Sequence, residues 1–112
     1  MDKDAVVAAI NCLKDRLVED GIRVSKIVLY GSRTRGDEQE ESDIDLLVVS
    51  DDFRDRDIFE RAAITKDAEV AAMKKFQVPF DIITLTCDEF HHGGSLFTQF
   101  AEDGETVYEE EQ

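Results

Sequence analysis

Lys26-Ile27-Val28-Leu29-Tyr30-Gly31-Ser32-Arg33-Thr34-Arg35-Gly36 and, further on, Ser42-Asp43-Ile44-Asp45-Leu46-Leu47-Val48-Val49 decide how this chain is read. The apolar run through residues 23–30 predicts a strand, and Gly31-Ser32 predicts a turn that launches a short helix. Residues 37–42, Asp-Glu-Gln-Glu-Glu-Ser, form a polar loop that returns the chain to a second strand over Asp43 to Ser50. Side chains alternate across a strand with period two, so Asp43 and Asp45 share one face. Two carboxylates on a rigid strand, beside a glycine-flanked serine at a helix start, make a place to hold metal and polyphosphate together.

Outward from this centre the elements follow from periodicity. Val6, Ala9, Ile10, Leu13 and Leu17 recur at helical spacing over residues 4–18, and Gly21 closes that helix. The stripe marks a core-facing helix, although a partner groove would use the same spacing. Asp51, Asp52 and Asp55 precede a long helical segment over 55–76, where acids suit the positive end of the macrodipole. Phe59, Ala62, Ala63, Val70 and Met73 are expected on its buried side, with Lys74 and Lys75 at its C-terminal end. Val78 to Thr86 predicts a third strand with Pro79 at its start. A short helical turn is expected over Asp88 to His91, and Ser95 caps a last helix carrying Leu96, Phe97 and Phe100, closed by Gly104. Val107-Tyr108 adds a short final strand. The whole reads as one α+β domain over residues 1–112, a small mixed sheet with helices packed on one face.

Gly31-Ser32, ten intervening residues and Asp43-Ile44-Asp45 resemble the signature of the DNA polymerase β-like nucleotidyltransferase superfamily. Within it the chain is most similar to the minimal nucleotidyltransferases, often the antitoxin half of toxin–antitoxin pairs. The resemblance spans residues 22–108. Thr34 departs from it, standing where a smaller residue such as alanine is expected. The resemblance implies a third acid on a later strand, which Asp81 in Val78-Pro79-Phe80-Asp81-Ile82-Ile83-Thr84-Leu85 supplies. It further implies that Asp43 and Asp45 ligate metal, and that Asp81 completes the site and helps deprotonate the acceptor.

Three converging carboxylates repel, by about 4 kcal/mol per pair at 4 Å and an effective dielectric of 20. Mg²⁺ is the natural guest of such a set, because it takes oxygen ligands and shares its shell with substrate phosphates. Two Mg²⁺ ions would activate an attacking hydroxyl and steady a leaving pyrophosphate. Ser32 and the N–H groups behind Gly31 would hold the β- and γ-phosphates of ATP, since glycine lets the backbone come close. Arg33 and Arg35 are candidate phosphate or acceptor contacts, although Arg35 also simply offsets the acids that follow. His91 and His92, beside Gly93-Gly94, have a loop-like setting and no partner spacing for metal. Phe90, Phe97 and Phe100 could stack on a base, but fit core packing better.

Charge narrows the class of partner. Thirteen basic against 27 acidic side chains leave a net charge of −14. Proteins that grip nucleic acid replace phosphate counterions with basic groups, so direct nucleic-acid binding is not expected. The acidic runs Asp37 to Asp43, Asp51 to Asp57 and Glu109 to Glu111 either keep the protein soluble or steer a basic partner protein toward it. No apolar stretch is long enough to span a membrane, and Met1-Asp2-Lys3-Asp4 lacks the order of a signal peptide. Cys12 and Cys87 have no framework or zinc spacing and are expected as reduced thiols in a cytoplasmic protein. With no acceptor-binding segment recognisable, the acceptor is expected on another macromolecule. For the antitoxin relatives the resemblance implies a helical ribonuclease toxin modified with AMP on a tyrosine. The alternative is a non-catalytic binding module that acts on its partner by contact alone.

Overall fold

The computed structural model describes residues 2–30, 43–92 and 104–110. Gly31, Ser32, Arg33 and Arg35, and the helix predicted after Ser95, lie outside the described residues.

Helix α1 (Lys3–Glu19) begins where Asp2 accepts a 2.8 Å hydrogen bond from the Ala5 amide. It ends in paired backbone bonds, Gly21 N–H to Val18 and Ile22 N–H to Leu17, with Gly21 at a φ of +91°. That left-handed position is one a side chain would strain, which is why the stop falls on the glycine. The buried face of α1 is Val6, Ala9, Ile10, Leu13 and Leu17, as the spacing predicts.

Four strands follow: β1 (Lys26–Tyr30), β2 (Ile44–Val49), β3 (Phe80–Leu85) and β4 (Glu105–Glu109). The sheet order is β3-β2-β1-β4, with β1 antiparallel to both β2 and β4 and β3 parallel to β2. A parallel neighbour needs a crossover, and α2 (Ile58–Phe76) supplies it. Asp57 caps α2 by accepting from the Glu60 amide at 2.8 Å, while Glu60 reaches back to the Asp57 amide at 3.1 Å. Asp57→Ala breaks this reciprocal cap and is expected to cost about 1 kcal/mol, read as a lower urea midpoint with an unchanged slope.

Alternate residues of β2 split the core in two. Ile44, Leu46 and Val48 face α1 and α2, together with Ile27, Leu29, Ala68, Ala72 and Phe53. Leu47 and Val49 face the other way, with Val28, Leu85 and Phe90 of α3 (Cys87–His92). The two long helices thus share one face, and the six-residue α3 covers part of the second.

The first turns of the stripe expected to bury α2 point outward instead. Phe59 is 79% exposed and Ala62 and Ala63 are exposed too, while Val70 and Met73 are only half-buried. The residues that α2 buries fully are Thr65, Ala68 and Ala72. Ile64, Met73 and Phe76 pack against the same core, so only the first turns of the expected stripe are turned away from it.

Sequence reading also missed Phe53, which is wholly buried in the single 3₁₀ turn Asp51–Phe53 between β2 and α2. Its acidic neighbours have structural partners of their own. Asp51 accepts from the Cys87 amide at 3.1 Å, and that bond, aided by Arg54, holds its carboxyl below the usual range despite some desolvation. Asp52 accepts from the Arg23 amide at 2.7 Å. The carboxylates of this run are therefore placed by turns and caps, whatever their charge does at longer range.

Candidate active site

Asp45 is the second residue of β2 and Asp81 the second of β3, and the two are register partners. Across the other side of β2, Asp45 is the register partner of Tyr30, the last residue of β1. The result is a row of three side chains, Tyr30, Asp45 and Asp81, running across three strands at one end of the sheet. Register partners share a face, and this one is the face of Val28, Leu47 and Leu85. Asp43 stands two positions before Asp45, exposed at the lip. Asp81 is exposed and Asp45 half-buried. The backbone therefore brings Asp45 and Asp81 side by side as neighbours about 4.8 Å apart in the strand-to-strand direction. Among the described residues, no three His, Cys, Asp or Glu side chains gather closely enough to form a ready-made metal cage. The three carboxylates are aligned rather than clustered.

Electrostatics tie the row together. Burial pushes the Tyr30 phenol up to about 12, and the negative charges of Asp45 and then Asp81 push the same way. The phenol is therefore protonated throughout the physiological range. It walls the acids without acting as a base. Sequence reading placed Tyr30 only at the end of the first strand; period two through β1 and the antiparallel pairing place it in the row. Glu69 of α2 was missed altogether. Burial first, and Asp81 second, raise its carboxyl above the usual range, which sets it beside the β3 edge. No sequence spacing signals that approach, since it depends on how α2 docks.

The histidines lie elsewhere. His91 and His92 end α3, which follows β3 at the opposite end from Asp81, and the His91 ring stacks on Phe90 at 5.5 Å. They take no part in the acid row.

The sequence profile of the nucleotidyltransferase domain family matches residues 10–104. The chain belongs to that family. Its similarity to the minimal nucleotidyltransferases extends to solved structures. One, described as a minimal nucleotidyltransferase, superimposes with a TM-score of 0.58 at 21% identity, covering 93% of this chain and 94% of that one. A toxin–antitoxin complex with AMP-PNP gives a TM-score of 0.58 at 19% identity, over 88% of this chain and 73% of that one. At such identities the likeness shows the nucleotidyltransferase fold. A curated relative from Methanocaldococcus jannaschii, named as a candidate protein adenylyltransferase, is 44% identical over 50 residues, 45% of this chain. The matched stretch spans 47% of that protein's length. The chain thus carries a nucleotidyltransferase domain with an α+β mixed sheet, as the motif predicts, and no helix among its described residues is long and apolar enough to cross a membrane.

Proposed function

We propose that this nucleotidyltransferase moves AMP from ATP to a hydroxyl of a basic partner protein, as the antitoxin of a toxin–antitoxin pair whose toxin is a helical ribonuclease. The observation that carries the reading is the in-register pair of Asp45 and Asp81 at one end of a sheet face. The name of the curated relative and the AMP-PNP complex among the structural neighbours support the nucleotide and the class of acceptor.

Asp43, Asp45 and Asp81 offer only carboxylate oxygens, a donor set that fits Mg²⁺ and favours hard cations over softer metals. Bound there, Mg²⁺ would supply charge for the phosphates and the departing pyrophosphate. The chain's own residues do the rest. Gly31 and Ser32 hold the β- and γ-phosphates, and Arg33 and Arg35 add charge along the polyphosphate or acceptor. Asp81, exposed at the end of the row, receives the acceptor proton. The acceptor oxygen forms a bond to the α-phosphorus, the bond from the α-phosphorus to its bridging oxygen breaks, and pyrophosphate leaves. Tyr30, protonated and half-buried, closes the row on its inner side.

Incubation with α-labelled ATP, Mg²⁺ and the protein encoded beside this chain is expected to place label on that partner, on a tyrosine. A complex that forms and neutralises the partner with no label transferred, in wild type and in Asp43→Asn alike, would instead favour the non-catalytic binding module. The exposed apolar residues Ile58 and Phe59 give that second reading its one specific support.

A further inference from the structure

Beside the acid row lies a surface that the proposed chemistry has not used. Strand β3 is terminal in the sheet of described residues. The β2–β3 bonds from Ile44 N–H to Pro79 and from Ser50 N–H to Leu85 fix which backbone groups of β3 face inward. Pro79, Asp81, Ile83 and Leu85 turn theirs toward β2, so Phe80, Ile82 and Thr84 turn theirs outward. Arg61 of α2 confirms the alternation by donating to the Thr84 carbonyl at 3.3 Å, while the same nitrogen also donates to Glu89 at 2.8 Å. No described group bonds the outward N–H and C=O of Phe80 and Ile82. An edge of this kind is a template for another strand.

A groove of about 440 Å³ runs along that edge, between β3 and α2, lined by Ile58, Ala62, Ala63, Lys66, Glu69 and Ile82 among others. At its end Ile58 is 72% and Phe59 79% exposed. Ile58 itself lines the groove, and exposed apolar side chains beside unpaired backbone are what a docking partner would cover.

We propose that an extended, basic segment of the acceptor protein adds to the β3 edge in this groove and so presents its hydroxyl residue beside Asp81. The proposal rests on the reading of Asp81 as the acid next to the acceptor. Its geometry follows from register. A strand added to β3 extends the row of Tyr30, Asp45 and Asp81 by one position, because register partners share a face. The residue opposite Asp81 then has its Cβ roughly 4.5–5.5 Å from that of Asp81. Main-chain bonds would set the register, and the apolar floor would take side chains of the other parity. Charge decides the occupant. The chain carries −14, and Glu69 lines the groove beside Lys66, with Asp81 exposed on β3. A second copy would bring the same charge to the same edge, whereas a basic strand is attracted to it.

The test uses the full chain and a short fluorescein-labelled peptide of alternating lysine and valine with one central tyrosine. Fluorescence anisotropy reads docking, label from α-labelled ATP reads transfer, and calorimetry reads ATP binding. Methylating the peptide amides of one parity is expected to weaken binding about tenfold per amide, with little change for the other parity. Ala63→Glu and Phe59→Glu change exposed residues, so they should fold and bind ATP as wild type does, yet lose the peptide and its labelling. Binding that ignores amide parity and both variants overturns the proposal, as does the absence of any binding. A wild-type dimer that Ala63→Glu dissociates, seen by sedimentation, overturns it in favour of a second copy. Parity-dependent binding with no label at any Mg²⁺ or ATP concentration leaves the docking edge standing and sinks the transfer reading.

Discussion

Asp45→Asn is expected to abolish nucleotide transfer while leaving the fold standing. Asp45 is half-buried between Tyr30 and Asp81, and asparagine matches its shape, so no cavity or strain is introduced. What disappears is one negative charge. Transfer should fall at least about a thousandfold, some 4 kcal/mol of barrier, because the metal that would neutralise the polyphosphate loses a central ligand. Stability should move in opposite directions under two conditions. Without divalent metal the variant should melt higher, since it relieves repulsion between neighbouring carboxylates that ranges from about 1 kcal/mol in water to about 4 kcal/mol at an effective dielectric of 20. With Mg²⁺ and ATP at a hundredfold excess over Kd, wild type should gain about 2.7 kcal/mol and the variant much less. Thermal melts with and without Mg²⁺ and ATP read both effects. Equal melting of the two proteins under both conditions would remove the metal from the acid row.

Phe53→Ala should be the most damaging single change away from that row. The ring is fully buried in the core shared by α1, α2 and the sheet, and nothing in a tight turn can collapse to fill its space. Truncation of a buried phenylalanine costs about 3–5 kcal/mol, a large part of the 5–15 kcal/mol typical of a whole domain. The loss should also reach the acid row, because the Phe53 carbonyl accepts from Arg61 at 3.1 Å and Arg61 in turn holds Thr84 of β3. Urea unfolding followed by fluorescence or circular dichroism measures it; a midpoint within 1 kcal/mol of wild type would mean that the turn carries no such role.

These two residues also show where sequence reading succeeds and stops. The place of Asp45 on a strand was legible because its information is local: a turn, a spacing and a period of two. Helix α1 was legible for the same reason, with stripe and terminal glycine both within its own turns. Phe53 was hidden, one apolar residue in an acidic run whose burial depends on three elements meeting above it. The α2 stripe misled because periodicity reveals that a helix has two faces without saying which one meets a neighbour. Thr65, Ala68 and Ala72 take that place, flanked by Ile64, Met73 and Phe76. The register that sets Asp45 beside Asp81 and Tyr30 is likewise tertiary; the motif implies an acid on a later strand, but only strand pairing makes it a neighbour. The phosphate-holding turn at Gly31 and Ser32 remains a reading of sequence, since it falls outside the described residues.

The parallel pairing of β2 with β3 has a consequence in time as well as in space. Tyr30, Asp43 and Asp45 come from an antiparallel pair, whereas Asp81 arrives only after the whole of α2 has crossed back over the sheet. Contacts between distant parts of a chain form late, because the loop entropy must be met before they can repay it. A chain still emerging from the ribosome would therefore hold its first acids for as long as β3 remained inside the exit tunnel, without a complete site. On the proposed role of Asp81, nucleotide chemistry would be switched on by synthesis of the last third of the domain, and a premature stop within α2 would leave a fragment carrying the signature motif but no Asp81.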